Sequence, residues 1–313
     1  MESPRTRRGR RARPSRRRPL LYAALAVVAV GGVTAGGTAY VQARAHTGAA
    51  HVSSVPSSPA AAGAGEEASV TEPAVDRGAL LGAAMAKVAV PSGAKVSAAV
   101  LAVDSGESAV YGGGAFDTAS IVKVDILAAL LLRAQDEGRR LTAAERAYAA
   151  KMIENSDNAS TTLLWHTIGR AAGLDAANER FGLTETSGGD GELWGLTQTT
   201  AADQLVLLRQ VFGSRSKLSA ASRTYVQGLM KSVEADQRWG VSAAAEGNSW
   251  ALKNGWLARS TTGLWDVNSI GRVTVDGNGY LVAVLSNGTT TQAKGISLVE
   301  AAARAAVSAF GTG

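Results

Sequence analysis

The stretch VDILAALLLRAQDEG, residues 124–138, constrains this chain more than any other. Its first nine residues are apolar except Asp125, so no polar face exists at any helical period. A helix that is apolar all round has to be buried on every side. The stretch is therefore expected to be a central helix, ended by Gly138 as C-cap. The residues just before it, TASIVK, place Ser120 and Lys123 three apart, on one helical face. There are two ways to read that pair. Ser120 is an N-cap with Lys123 as a solvated first-turn charge, or the lysine serves the hydroxyl. In the second case the helix start eases formation of an alkoxide at Ser120. The same positive end, together with burial, disfavours a protonated Lys123 and leaves a neutral amine that can accept the serine proton.

A buried helix needs a body around it. The chain has 313 residues and no cysteine, which excludes disulfides, thiolate metal sites, a cysteine nucleophile and a lipid-modified N-terminal cysteine. Residues 76–313 are enough to build a core without such staples. Charge divides the chain unevenly: residues 1–46 hold ten arginines and one acid, leaving 22 basic and 25 acidic residues elsewhere. The basic character belongs to the tail, and a nucleic-acid-binding body is not expected. Residues 1–19 read as a basic cytoplasmic tail. Residues 20–41 are uncharged and long enough to span a bilayer, with the arginines staying inside. A single-pass anchor with the C-terminal body outside the cell membrane is expected. A cleaved signal and a secreted product is the alternative, and SRRRPLL loosely matches a twin-arginine signal. Residues 42–75, rich in Ala, Ser, Pro and Gly, read as a flexible linker.

Within the body, a helix near 76–88 precedes KVSAAVLAVDS and AVYGGG, two strands joined at DSGE. Residues 120–230 are mostly helical; Thr142 and Glu145 form a capping box. Three strands follow, SWALKNGW, LWDVNSIGRVTV and YLVAVLSNG, the last two joined by a DG hairpin turn. A helix closes the chain. The pattern predicts an α+β fold: one antiparallel sheet completed from both chain ends, covered by helices, with a helical subdomain.

Two further polar stretches interrupt this frame. Ser156, Asp157 and Asn158 fall between two helices, where they are ordinary capping residues or a hydroxyl and amide at a cleft rim. There Ser156 can relay a proton and Asn158 can bind a substrate amide. Lys253, Asn254 and Gly255 lie inside an apolar strand. They mark a protected edge, or a strand whose glycine admits close approach, with the Trp256 N–H pairing with that of Ser120 as an oxyanion hole. Trp194, Trp239, Trp250, Trp256 and Trp265 read as core or cleft wall, and those near the K-N-G strand, Trp256 among them, as candidates to line a substrate groove. His46 and His51 sit in the linker and His166 on a helix, so a histidine triad would rest on His166 alone. No H-E-x-x-H, P-loop or G-x-G-x-x-G after a strand is present, and no metal or cofactor is expected.

Taken in order, S-x-x-K opening an apolar helix, S-D-N 36 residues on and K-x-G 97 further, the chain resembles the class A β-lactamases among the penicillin-recognising serine enzymes. The resemblance covers roughly residues 76–313 and includes WGLTQTTAADQLVLL. It implies a helix-plus-sheet fold and an acyl-enzyme mechanism. Ser120 attacks, Lys123 activates it, Ser156 shuttles the proton, and Lys253 attracts a substrate carboxylate. The implied substrate is a β-lactam or a related peptidoglycan-like D-alanyl peptide. There are three departures. The E-x-x-L-N glutamate that activates the deacylating water has no counterpart; Glu185, Asp190 and Glu192 lie in or near the shortened segment, and Glu192 is the best substitute. K-T-G is K-N-G, with Asn254 at the hydroxyl position. The distance from S-x-x-K to S-D-N is trimmed. The missing glutamate leaves open a non-hydrolytic cell-wall or ligand-binding protein built on the same scaffold.

Overall fold

The computed structural model describes residues 75–311. The expected tail, apolar span and nearly all of the linker lie outside the described residues, among which no helix is long and apolar enough to cross a membrane. Helix α1 (Arg77–Met85) leads into the hairpin of β1 (Lys95–Ala102) and β2 (Ser108–Tyr111), then a short strand β3 (Phe116–Asp117). The helical layer follows: α2 (Val122–Asp136), α3 (Ala143–Glu154), α4 (Asn158–Ile168) and α5 (Arg170–Phe181). Strand β4 (Gln198–Thr199) pairs with β3 and precedes α6 (Ala201–Phe212) and α7 (Ala220–Lys231). The chain returns as β5 (Trp250–Ala258), β6 (Trp265–Val275) and β7 (Asn278–Thr289), and ends in α8 (Gln292–Ser308).

The five-stranded antiparallel sheet has the order β2-β1-β7-β6-β5, so it is completed from both chain ends as expected. Alternation across the strands splits the core in two. Ala99, Leu101, Leu281, Ala283 and Leu285 face the layer of α2 to α7, whereas Ala98, Val100, Val282 and Val284 face α1 and α8. Burial on both faces explains why YLVAVLS carries no polar alternation. The turn from β6 to β7 holds Asp276 at φ +49° and Gly277 at φ +77°, the two left-handed positions of a tight hairpin. The Thr142–Glu145 capping box forms in both directions.

Helix α2 runs through the centre, with twelve of its fifteen residues buried. It begins at Val122 rather than Ser120, because residues 119–121 form a separate 3₁₀ turn. One of its buried residues is a carboxylic acid. Asp125 accepts from Gln204 Nε2 at 3.3 Å, while Asp125 Oδ1 and Gln204 Oε1 have no partner among the described residues. Gln204 also donates to Thr199 Oγ1 at 3.1 Å, and Thr186 joins Thr199 to Asp203. Burial pushes the Asp125 carboxyl up to about 7; the Gln204 bond opposes this and the Asp203 charge adds to it.

A carboxyl whose pKa is raised on folding favours the fold while protonated, and that contribution is lost as pH rises through the folded value. The shift from 3.8 to about 7 corresponds to a ceiling of about 4 kcal/mol. Asp125→Asn is therefore expected to change stability more favourably at pH 8 than at pH 4. Thermal melts at both pH values check this, and an identical effect at the two would contradict it.

Candidate active site

Four segments meet at one corner of the sheet. The 3₁₀ turn 119–121 presents Ser120, the start of α2 presents Lys123, the α3–α4 junction presents Ser156, and β5 presents Lys253. Each segment is held by local chemistry. Asp157 caps α4 by accepting from Ser160 N at 2.7 Å. That cap leaves Ser156 as the residue that turns the chain between the helices, at φ +55°. A non-glycine residue in the left-handed region costs free energy and persists only where its surroundings fix it. Ala119, at φ +47°, turns the chain in the same way immediately before Ser120. The Ser120 turn is gripped from the sheet: Asn268 Nδ2 donates to the carbonyls of Asp117 at 2.9 Å and Thr118 at 3.0 Å. Thr118 N–H donates to Thr197 O at 2.9 Å.

Ser156 Oγ lies 3.0 Å from Lys123 Nζ and 3.0 Å from Lys253 Nζ. Lys123 also donates to Ser156 O at 2.7 Å and Asn158 Oδ1 at 2.8 Å, and Lys253 to Asn254 O at 2.8 Å. Both lysines are 0 % exposed. Burial brings Lys123 down to about 7, opposed by the Asp157 carboxylate. Burial also lowers Lys253 well below its ordinary value, and the Lys123 charge lowers it further. Neither lysine is the solvated charge that a surface reading would require. The hydrogen bonds of Lys123 go to Ser156 and Asn158, however, and none reaches Ser120. Lys123 and Ser120 are related by location on successive turns.

Strand parity decides which K-N-G side chains reach this corner. Arg259 N donates to Leu264 O at 2.8 Å and Thr274 N donates to Ser249 O at 2.9 Å. The β5–β6 register between them is unbroken. Odd-numbered residues of β5 therefore bond to β6, and even-numbered ones point their backbone groups off the open edge of the sheet. The Trp256 N–H is one of these. Gly255 packs against the Ser120 turn so closely that a Cβ there would lie 2.7 Å from Ser120 N and 2.7 Å from Thr118 O. The backbone N–H groups of Ser120 and Trp256 thus belong to the same corner.

Three sequence expectations need correction. The Asn254 side chain does not face the cleft. It lies on the opposite side of the sheet, where Nδ2 donates to Gln237 O at 2.8 Å and Trp239 O at 2.9 Å. The Trp256 ring follows the same parity and packs on Trp239, with centroids 5.8 Å apart, so it does not line a substrate groove. Glu192 is not free to activate a water. Its Oε2 lies 2.7 Å from His166 Nε2 and its Oε1 lies 3.0 Å from an Arg170 guanidinium nitrogen, at the surface. Glu185 is also turned elsewhere, accepting from Thr200 Oγ1 at 3.4 Å.

Sequence reasoning missed two supporting groups and left a third, Trp194, open between core and cleft wall. Asn268 signalled itself only as an amide inside an apolar strand. Asp117, nearly buried, is bonded by Gln198 and paired with Arg259, which also reaches Asp266 at 3.4 Å. Burial raises Asp266 to about 6 despite Arg259, with Asp117 adding to the rise. Trp194 stands over Lys123, its ring centroid 5.0 Å from Nζ. Among the described residues no cluster of His, Cys, Asp or Glu could hold a metal.

Replacing Gly255 by alanine forces the Cβ into the Ser120 turn. Gly255→Ala is expected to keep the fold, read by circular dichroism. It is also expected to slow covalent modification of Ser120 by about a hundredfold, the usual cost of losing an oxyanion donor. Unchanged reactivity in a folded variant would contradict this placement.

A family model described as "Beta-lactamase enzyme family" matches residues 145–310, more than half of the chain. Solved structures share the fold. A leucine-to-glutamate mutant of PBP-A, captured as an acyl-enzyme complex with penicillin G, is 23% identical with a TM-score of 0.64, covering 74% of this chain and 96% of that one. A class A β-lactamase from Bacteroides cellulosilyticus DSM 14838 is 16% identical with a TM-score of 0.66, covering 76% and 99%. The TLA-1 extended-spectrum β-lactamase is 14% identical with a TM-score of 0.65, covering 75% and 98%. No curated protein sequence matches the chain. By its matched residues and its α+β architecture, the chain belongs to the beta-lactamase enzyme family.

Proposed function

We propose that this protein is an extracytoplasmic acyl-serine enzyme whose substrate is a β-lactam or a related D-alanyl peptide amide. The observation that carries the proposal is the Ser156 hydroxyl held 3.0 Å from each of two buried amines, beside the turn that bears Ser120. Buried amines with lowered pKa are the expected equipment of a base that works near neutral pH. Ser120 Oγ attacks the carbonyl carbon and its proton passes to neutral Lys123. The Ser120 and Trp256 N–H groups receive the oxyanion. The proton then moves through Ser156 to the leaving nitrogen, the C–N bond breaks, and an ester on Ser120 remains. Lys253, in its protonated form, attracts a substrate carboxylate, and the Asn158 side chain is placed to meet a substrate amide. Hydrolysis adds water to the ester and returns the proton to Ser120.

The export reading rests on the uncharged span 20–41 behind the arginines. An anchored body outside the membrane fits that span better than a cleaved signal does. A second reading, acylation without efficient turnover, is favoured by one observation. The best carboxylate candidate for activating water, Glu192, is occupied by His166 and Arg170.

The PBP-A mutant captured as an acyl-enzyme with penicillin G makes that compound the natural probe. Intact-protein mass spectrometry is expected to show a penicilloyl adduct on the purified protein and none on Ser120→Ala. Absence of an adduct on the unsubstituted protein would overturn the proposal. The pH dependence follows from Lys123, at about 7. Its neutral form is the base, so acylation rises with pH and levels off above about 7. At pH 6 it runs at about a tenth of the plateau. Acylation that falls between pH 6 and 8 would exclude Lys123 as base.

A further inference from the structure

The segment 190–196 is fastened to one face of α4. Trp165 Nε1 donates to Gly191 O at 2.8 Å, His166 meets Glu192 at 2.7 Å, and Trp194 Nε1 donates to Thr162 Oγ1 at 3.2 Å. These three α4 residues, at spacings of three and four, share one helical face. The result is that Trp194 is held with its ring over Lys123, 5.0 Å from Nζ. Trp194 also lines an open groove of about 690 Å³, bounded by Thr162, Glu192, Leu257, Arg259 and Thr261 as well. Lys123 does not line that groove and is fully buried. The indole is therefore the wall between bulk water in the groove and the amine beside the nucleophile. The next residue, Gly195, reaches the nucleophile turn itself, where an added Cβ would lie 3.9 Å from Ala119 Cα.

We infer that Trp194 is a positioning residue that sets the lifetime of the acyl-enzyme, by keeping groove water away from Lys123 and the Ser120 ester. The inference rests on the acyl-serine reading and adds its consequence. Ester cleavage needs a water oxygen at the carbonyl carbon and a base to take one of its protons, the other remaining with the product acid. Lys123 is the base within this corner, and the indole covers its groove side. The carboxylate nearest in sequence, Glu192, is bonded away. Acylation can then proceed from the substrate side while hydrolysis is starved of water.

The test uses the described body with its N-terminal segment in place, as Trp194→Ala and Trp194→Phe. Two readouts are taken. The first is the rate at which trinitrobenzenesulfonate modifies Lys123, followed by peptide mass spectrometry; it needs no catalysis. The second is the lifetime of the penicilloyl adduct after excess penicillin G is removed. Opening the wall is expected to speed Lys123 modification about tenfold in Trp194→Ala, since burial is what withholds the amine. It is expected to shorten the adduct lifetime by at least about tenfold, the low end for a general base gaining its water. Trp194→Phe, which keeps a ring in place, is expected to stay near the unsubstituted protein in both. A merely structural role would move Tm but would not show this rescue. Unchanged Lys123 modification in folded Trp194→Ala overturns the inference, as does an unchanged adduct lifetime. If the unsubstituted protein forms no adduct at all, the acyl-serine proposal fails. The shielding claim is then decided by Lys123 modification alone.

Discussion

Two amines buried around one hydroxyl set the terms for everything else in this molecule. Removing an ammonium from water is costly unless it loses its proton or finds strong acceptors. Lys123 has three oxygen partners for its ammonium form, and burial brings its pKa down to about 7, where the neutral amine is also populated. Lys253 has two, and the presence of Lys123 weighs against its charge. Because both reach Ser156, the protonation of one is felt by the other, and the corner holds fewer protons than two free lysines would. Such an arrangement lasts only in a rigid frame. Here the frame is the central helix, the capped α3–α4 junction and the edge strand, each fixed by contacts remote from the amines.

The same frame explains why neighbouring residues in one short motif have unrelated tasks. Lys253 and Gly255 project toward the helical layer. Asn254 and Trp256 project toward α8, where the amide ties down the carbonyls of Gln237 and Trp239. The K-N-G variation is therefore a substitution in the back layer as far as its side chain is concerned. Trp256 contributes to the corner through its backbone alone.

Much of the fold was legible because it is written in local patterns. The apolar run of α2, the Thr142–Glu145 box and the Asp276–Gly277 turn each announce themselves within a few residues. The order of S-x-x-K, S-D-N and K-x-G disclosed the family for the same reason. What the sequence withheld depends on long-range partners and on parity. Nothing near Glu192 says that His166 and Arg170 will take its oxygens, since the pairing arises only when the segment 190–196 lies down on α4. Nothing near Asn254 says which face of the sheet it joins, because one residue of shift would reverse the answer. Asp125 looked like a blemish in an apolar helix until Gln204, 79 residues away, supplied its neighbour.

The centre of the sheet joins β1 to β7, from Lys95 opposite Asn287 to Ala102 opposite Tyr280. These strands are separated by almost the whole of the body. A chain that emerges N-terminus first can make its helices early but has no mate for the inner edge of its first hairpin until the final strands arrive. Long-range pairing of this kind slows folding. The corner around Ser156, whose far wall is β5, thus takes shape late, after nearly the entire polypeptide has been delivered. Until then the serine and its amines are ordinary residues of an open chain.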